Sequence, residues 1–170
     1  GTRVFAGSGL NLPRLWDALT GVELRTFPGH TSAVYAVALS SDGVTGLTGS
    51  DDNTAILWNI VTGARLRTLS GHTSAVNAVA FSADGQHALT ASSDGSIRVW
   101  DVSTALNTGV ATGAQTAVFI QGNGVVSAAF SPDGRYIVSS DGGGGRIYLW
   151  DVATGVLIGV FSDVFGGVTS

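Results

Sequence analysis

Short apolar runs separated by turn residues make up most of this chain, and no stretch repeats its apolar positions at helical spacing. Three runs, Val34 to Leu39, Val76 to Phe81 and Val126 to Phe130, interleave small and branched residues, as a strand buried on both faces requires. Each leads into Ser-Asp-Gly (41–43), Ala-Asp-Gly (83–85) or Pro-Asp-Gly (132–134), where glycine can take the positive φ of a hairpin turn and aspartate can bond the backbone. Second strands follow at Val44 to Ser50, His87 to Ser92 and Tyr136 to Ser140, and then turns at 51–53, 93–95 and the glycine run 142–145. Third strands, Ala55 to Asn59, Ser96 to Asp101 and Arg146 to Asp151, alternate apolar with polar and close on tryptophan plus one residue. Thr-Gly at 20–21, 62–63 and 154–155 turns the chain into outer strands, Val22 to Phe27, Ala64 to Leu69 and Val156 to Phe161.

The tryptophans measure the repeat. Trp16, Trp58, Trp100 and Trp150 stand at intervals of 42, 42 and 50, and a period near 42 is that of a four-stranded propeller blade. Gly-His at 29–30 and 71–72, the Asp-Gly turns and the Trp-Asp endings, recurring in one order, make the chain resemble the WD-repeat (WD40) family of β-propellers over nearly its whole length. The resemblance implies an all-β fold of antiparallel four-stranded blades set radially around a channel. It also implies a structural hydrogen-bonded tetrad per blade, which falls on His30, Thr48, Asp52 and Trp58 in one unit and His72, Thr90, Asp94 and Trp100 in the next. Elsewhere the pattern departs. The first unit has Leu10 in the aspartate position and no Gly-His, the second ends Trp58-Asn59, and the fourth has Gly122 near the histidine position with a displaced Asp141.

Four blade units follow, about 1–29, 30–71, 72–121 and 122–170, in one propeller segment. Gly1 aligns with the glycine of an Asp-Gly turn, so the first unit lacks its inner strand, and Gly167-Val-Thr-Ser170 matches Gly124-Val-Val-Ser127, the opening of another. WD-repeat propellers usually close with seven or eight blades. The expectation is therefore part of a larger propeller, or a homodimer in which two copies close eight blades.

Composition narrows the partners. Hydrophobic residues are 44% and charged residues 12%, which excludes a disordered, highly charged chain. All eight basic residues are arginines, scattered singly in a chain of net charge −4, a poor match for nucleic acid or anionic lipid. Cysteine is absent, which removes disulfides and thiolate metal sites, and no apolar stretch is long enough for a membrane span. No metal or cofactor is implied. The lysine-free, Gly/Ala/Val-rich composition points to a bacterial source. Compartment is open, with the cytoplasm favoured.

Several residue sets invite chemical readings. Thr, His and Asp within one unit suggest a hydrolase triad, but the set repeats in two units and is directed at tryptophan, which favours the tetrad. Gly142 to Gly145 lacks the Gly-Lys-Ser/Thr and the helix of a phosphate loop, and Asp51-Asp52-Asn53 lacks the spacing of a calcium loop; both read as turns. His87 reads as a surface residue, and Ser103 to Ala114 as an inserted loop between third and fourth strands. The resemblance implies a non-catalytic protein–protein interaction scaffold. Its contact positions fall on Tyr35, Asn77 and Ser127, with Ala33, Ala75 and Val125 two residues earlier, and on Asp51 and Ser93. Tyr35 is the interface anchor among them. Two further classes stay open: a self-assembling unit that forms a ring or filament, and a carbohydrate-binding or enzymatic propeller.

Overall fold

The computed structural model describes residues 2–103 and 114–162. The expectations placed on Gly1, on most of the inserted loop and on 167–170 lie outside them. Fifteen strands form four antiparallel sheets, with no helix among the described residues. The first sheet has three strands, β1 (Arg3–Ala6), β2 (Arg14–Asp17) and β3 (Glu23–Thr26). The second is β4 (Val34–Leu39), β5 (Thr45–Ser50), β6 (Thr54–Asn59) and β7 (Arg65–Ser70). The third is β8 (Val76–Phe81), β9 (His87–Ser92), β10 (Ser96–Asp101) and β11 (Gln115–Ile120). The fourth is β12 (Val125–Phe130), β13 (Tyr136–Asp141), β14 (Arg146–Asp151) and β15 (Leu157–Ser162). In register β1 corresponds to the second strands β5, β9 and β13, so the first sheet lacks an inner strand among the described residues.

The hairpins explain the meander. Gly43, Gly85 and Gly134 take φ of 69–71°, and in each turn a serine hydroxyl (Ser40, Ser82, Ser131) donates to the aspartate two residues on. The same aspartate accepts from the backbone N–H of Val44, Gln86 or Arg135. After each tryptophan, a side-chain oxygen caps the next turn: Asp17 accepts from Leu19 N and Thr20 N, and Asp151 from Thr154 N. Asn59 accepts from Val61 N and Thr62 N through its amide oxygen, so its departure from Trp-Asp leaves the cap intact.

Sheets stack face to face in chain order. Contacts between sheets concentrate along the inner strands β4, β8 and β12, while the outer strands β7, β11 and β15 chiefly contact their own sheet, which gives blades fanning from an inner line. One face of each sheet, here the forward face, packs on the tryptophan face of the next. Phe5, Leu15 and Phe27 meet Ile56, Trp58 and Ile60. Leu47, Leu57 and Leu69 meet Ala88, Trp100 and Val102. Leu89, Val99 and Phe119 meet Ile137, Tyr148 and Trp150. Phe27 is edge-on to Trp58 with centroids 5.6 Å apart, and Phe119 meets Trp150 in the same way at 5.7 Å, a geometry favoured by the ring quadrupoles. Gly49 keeps one junction tight, because a Cβ there would lie 2.7 Å from Val76 Cγ1.

The candidate interaction face and the tetrads beneath it

In the third sheet a single chain of hydrogen bonds runs inward from a turn. Asp94 is held by Ser96 Oγ at 2.6 Å, Ser96 N at 2.9 Å and Thr73 N at 3.0 Å. Burial raises the Asp94 pKa, but these donors and His72 outweigh it and lower it from an ordinary 3.8 to about 2. An ionised Asp94 accepts, so His72 Nδ1 donates to it at 2.9 Å. Burial pushes the His72 pKa down against the pull of Asp94, which keeps the ring neutral. Its Nε2 is then an acceptor, for the Thr90 hydroxyl at 2.8 Å, and the Thr90 oxygen accepts the Trp100 indole N–H at 2.9 Å. Four side chains thus satisfy one another in the order Trp100, Thr90, His72, Asp94.

The second sheet repeats the arrangement. Trp58 Nε1 donates to Thr48 Oγ1 at 2.9 Å, Thr48 lies 2.7 Å from His30 Nε2, and His30 Nδ1 lies 2.8 Å from Asp52. The Asp52 pKa is also lowered: burial opposes it, and bonds from Thr54, Thr31 N and His30 prevail. His30, Thr48, His72 and Thr90 are all buried. These hydroxyls and rings face tryptophan inside a blade and offer no nucleophile to a substrate.

The outer sheets break the chain in different ways. In the first, Ala6 stands where Thr48 and Thr90 stand, Leu10 is exposed, and the Trp16 indole finds no acceptor among the described residues. In the fourth, Trp150 Nε1 donates to Ser139 Oγ at 3.1 Å, and Ser139 donates to Gln121 Oε1 at 2.6 Å. Gln121, one residue before Gly122, takes the histidine's place, with its buried Nε2 unpartnered. Asp141 serves the glycine turn: it accepts from Gly144 N and Arg146 N, each at 3.1 Å, and from Asn123 and Tyr148. Its pKa is lowered, first by the Arg146 N–H.

Above the tetrads, the inner strands present a row of β-bulges. Tyr35 occupies one, between Val34 and Ala36, and is 56% exposed. Asn77 occupies the next. Its amide N–H groups donate to Ser93 Oγ at 2.8 Å and, across to the fourth sheet, to the Val125 carbonyl at 2.7 Å. Asp51, exposed beside this row, accepts from Ser32 Oγ at 3.0 Å. In the fourth sheet the bulge holds Val126, and Ser127 pairs with Ser140 on the forward face. Register therefore aligns Val126 with Tyr35 and Asn77 and sets Ser127 one residue further on, because the glycine turn is one residue longer than its counterparts. That extra residue is visible in the sequence, and counting across it locates both Val126 and Gln121.

A polar cleft of about 600 Å³ continues the row between the third and fourth sheets, lined among others by Asn77, Ser93, Asn123, Val126, Asp141 and Arg146. His87 is half-buried at the opposite rim, in a cleft with Asp84, Phe130 and Asp133. No group of three or more His, Asp or Glu able to hold a metal occurs among the described residues.

Comparison with protein families gives three matches to the WD40 family (WD domain, G-beta repeat), at residues 21–59, 63–101 and 113–151. Each matched segment begins at the outer strand of one sheet and ends on the third strand of the next. No curated protein matches the chain. With the matches covering more than half of its 170 residues, and the blades and tryptophan-centred bonding in place, the chain belongs to the WD40, G-beta repeat, family.

Proposed function

We propose that this protein is a non-catalytic scaffold that binds a protein partner on the bulge row, with Tyr35 as the anchor and Asn77, Asp51, Ser93 and Ser127 around it. Domains of this family generally mediate protein–protein interaction and are typically non-catalytic. The observation that carries the reading is the exposure of Tyr35: an aromatic ring 56% open to solvent on a strand braced from beneath. A ring with few rotatable bonds gives contact area at low entropic cost. Asn77 acts first as a brace between blades, and Val126 and Arg146 extend the surface toward the polar cleft. The blade units are taken as about 1–29, 30–71, 72–121 and 122–170.

The test is affinity capture from a lysate with the wild-type chain, Tyr35→Ala and Asn77→Ala, scored by the proteins retained. Proteins held by the wild type and lost with Tyr35→Ala support the assignment. An unchanged set in both variants overturns it.

A second reading, a self-assembling unit, is favoured by one observation: among the described residues nothing covers the fourth sheet's forward face, and Val138, Ile147 and Phe161 are exposed. Either further blades of a longer propeller or a second copy closing eight blades would cover it.

A further inference from the structure

The three junctions inside the chain show what this uncovered face is shaped to meet. At the outer-strand position of the forward face stand Phe27, Leu69 and Phe119, at 0%, 1% and 1% exposure, and then Phe161 at 57%. At the second-strand position stand Phe5, Leu47 and Leu89, at 8% or less, and then Val138 at 43%. At a third-strand position Ala55 and Ile97 are fully buried and Ile147 is 45% exposed. The same side chains that are sealed three times are open the fourth time.

The tryptophan face of the first sheet is open too. Trp16, in register with Trp58, Trp100 and Trp150, is half-buried, and Val4 beside it is 48% exposed. Each open face is one half of a junction whose whole is seen three times. Resting on the self-assembly reading, we propose that the forward face of the fourth sheet packs on the tryptophan face of the first sheet of a second copy. Phe161 then seats edge-on against Trp16 of that copy, as Phe27 does on Trp58 and Phe119 on Trp150.

Size and charge agree with this pairing. In the first junction the ideal Cβ of Gly46 lies 3.1 Å from Phe5 Cε1, a large side chain over an empty position. The matching pair between copies is Val138 over Val4, two medium side chains in the same space. The forward face of the fourth sheet carries Ser127, Ala129, Val138, Ile147, Leu149 and Phe161, all uncharged, and Asp151 at its end caps the next turn and lies 3.8 Å from Arg135. On the opposing face two charges, Arg14 and Glu23, are paired with each other at 2.8 Å. Burying these faces therefore leaves no unpaired ion, the usual cost of a wrong interface. The same contact made at both ends of each chain joins two copies with twofold symmetry.

The absence of cysteine makes the contact directly testable. Val4→Cys and Val138→Cys change exposed residues and leave the internal cores untouched. The two variants are co-expressed and oxidised. A disulfide between chains that joins the thiol introduced at position 4 to the thiol introduced at position 138, with no cross-link when either variant is expressed alone, supports the proposal. So does a native mass by light scattering of twice 17.2 kDa that Phe161→Ser halves. Cross-linking of Val138→Cys to itself, or an oligomer indifferent to Phe161→Ser, overturns the face assignment and leaves self-assembly standing. A wild-type chain that stays at 17.2 kDa overturns both, and capture through Tyr35 is independent of either result.

Discussion

Removing the Thr90 hydroxyl tests whether the buried relay holds the third blade together. Thr90 is fully buried, accepts from Trp100 Nε1 and donates to His72 Nε2. Valine has nearly the same shape, so Thr90→Val leaves packing in place and strands two polar groups. Trp100 is 3% and His72 7% exposed, too little for water to reach either nitrogen without opening the blade. At about 1–3 kcal/mol for each of the two orphaned neutral groups, the loss is about 2–6 kcal/mol, or about 4–24 °C in melting temperature for a domain of this size. Thr90→Ser keeps the hydroxyl and is expected to cost about 1 kcal/mol, the value of one buried methyl group. In the fourth sheet, Ser139→Ala strands the Trp150 N–H and a half-buried Gln121 that can turn toward solvent, so its cost is lower, about 1–2 kcal/mol. Thermal and urea unfolding followed by circular dichroism and tryptophan emission give all three. A Thr90→Val protein within about 0.5 kcal/mol of wild type, or one no weaker than Thr90→Ser, would refute the relay.

Acid should act in two stages. The folded pKa of His72 lies below its ordinary 6.5, so its contribution is complete above that value and is lost as pH falls below it, when the unfolded chain takes up the proton first. Asp94, at about 2 when folded against 3.8 ordinarily, contributes above 3.8 and loses that contribution between 3.8 and 2. Melting temperature should be flat above neutrality, slope down below 6.5 and steepen below 3.8, with Asp94→Asn making the lower limb shallower; a curve unchanged in that variant contradicts the assignment. Gly49→Val places atoms within 3 Å of Val76 and Val79 across the second and third sheets, and should destabilise by about 1–3 kcal/mol in urea titration. Wild-type stability in this variant would show that the junction is looser than described.

The blades were legible because short apolar runs and tryptophan-ended strands recur in one order and their turns demand glycine at set places. The two inner tetrads were legible because Thr90 and Asp94 precede Trp100 by the same counts as Thr48 and Asp52 precede Trp58. Linear counting failed where the turn after β13 gains a residue. There Gln121 stands in for a histidine, since an amide oxygen can accept from Ser139 as a ring nitrogen would, and Asp141 is diverted to the lengthened turn. The resemblance places Asn77 at a contact position, but its two hydrogen bonds are set by where Ser93 and the next blade lie, which spacing along the chain does not give. Asn59 read as a departure from pattern, yet capping needs only a carbonyl oxygen at that point.

The stagger between sequence repeat and sheet sets how the chain can be divided. Each matched segment lends its first strand to one sheet and its other three to the next, so successive repeats are stitched together by main-chain hydrogen bonds as well as by apolar contact. A backbone cut at the Thr62-Gly63 hairpin severs the chain but not the second sheet, because β7 remains bonded to β6 from the far side of the break. The two pieces share one sheet between them, and the tie that holds the array is woven through its blades rather than carried by the covalent links on its surface.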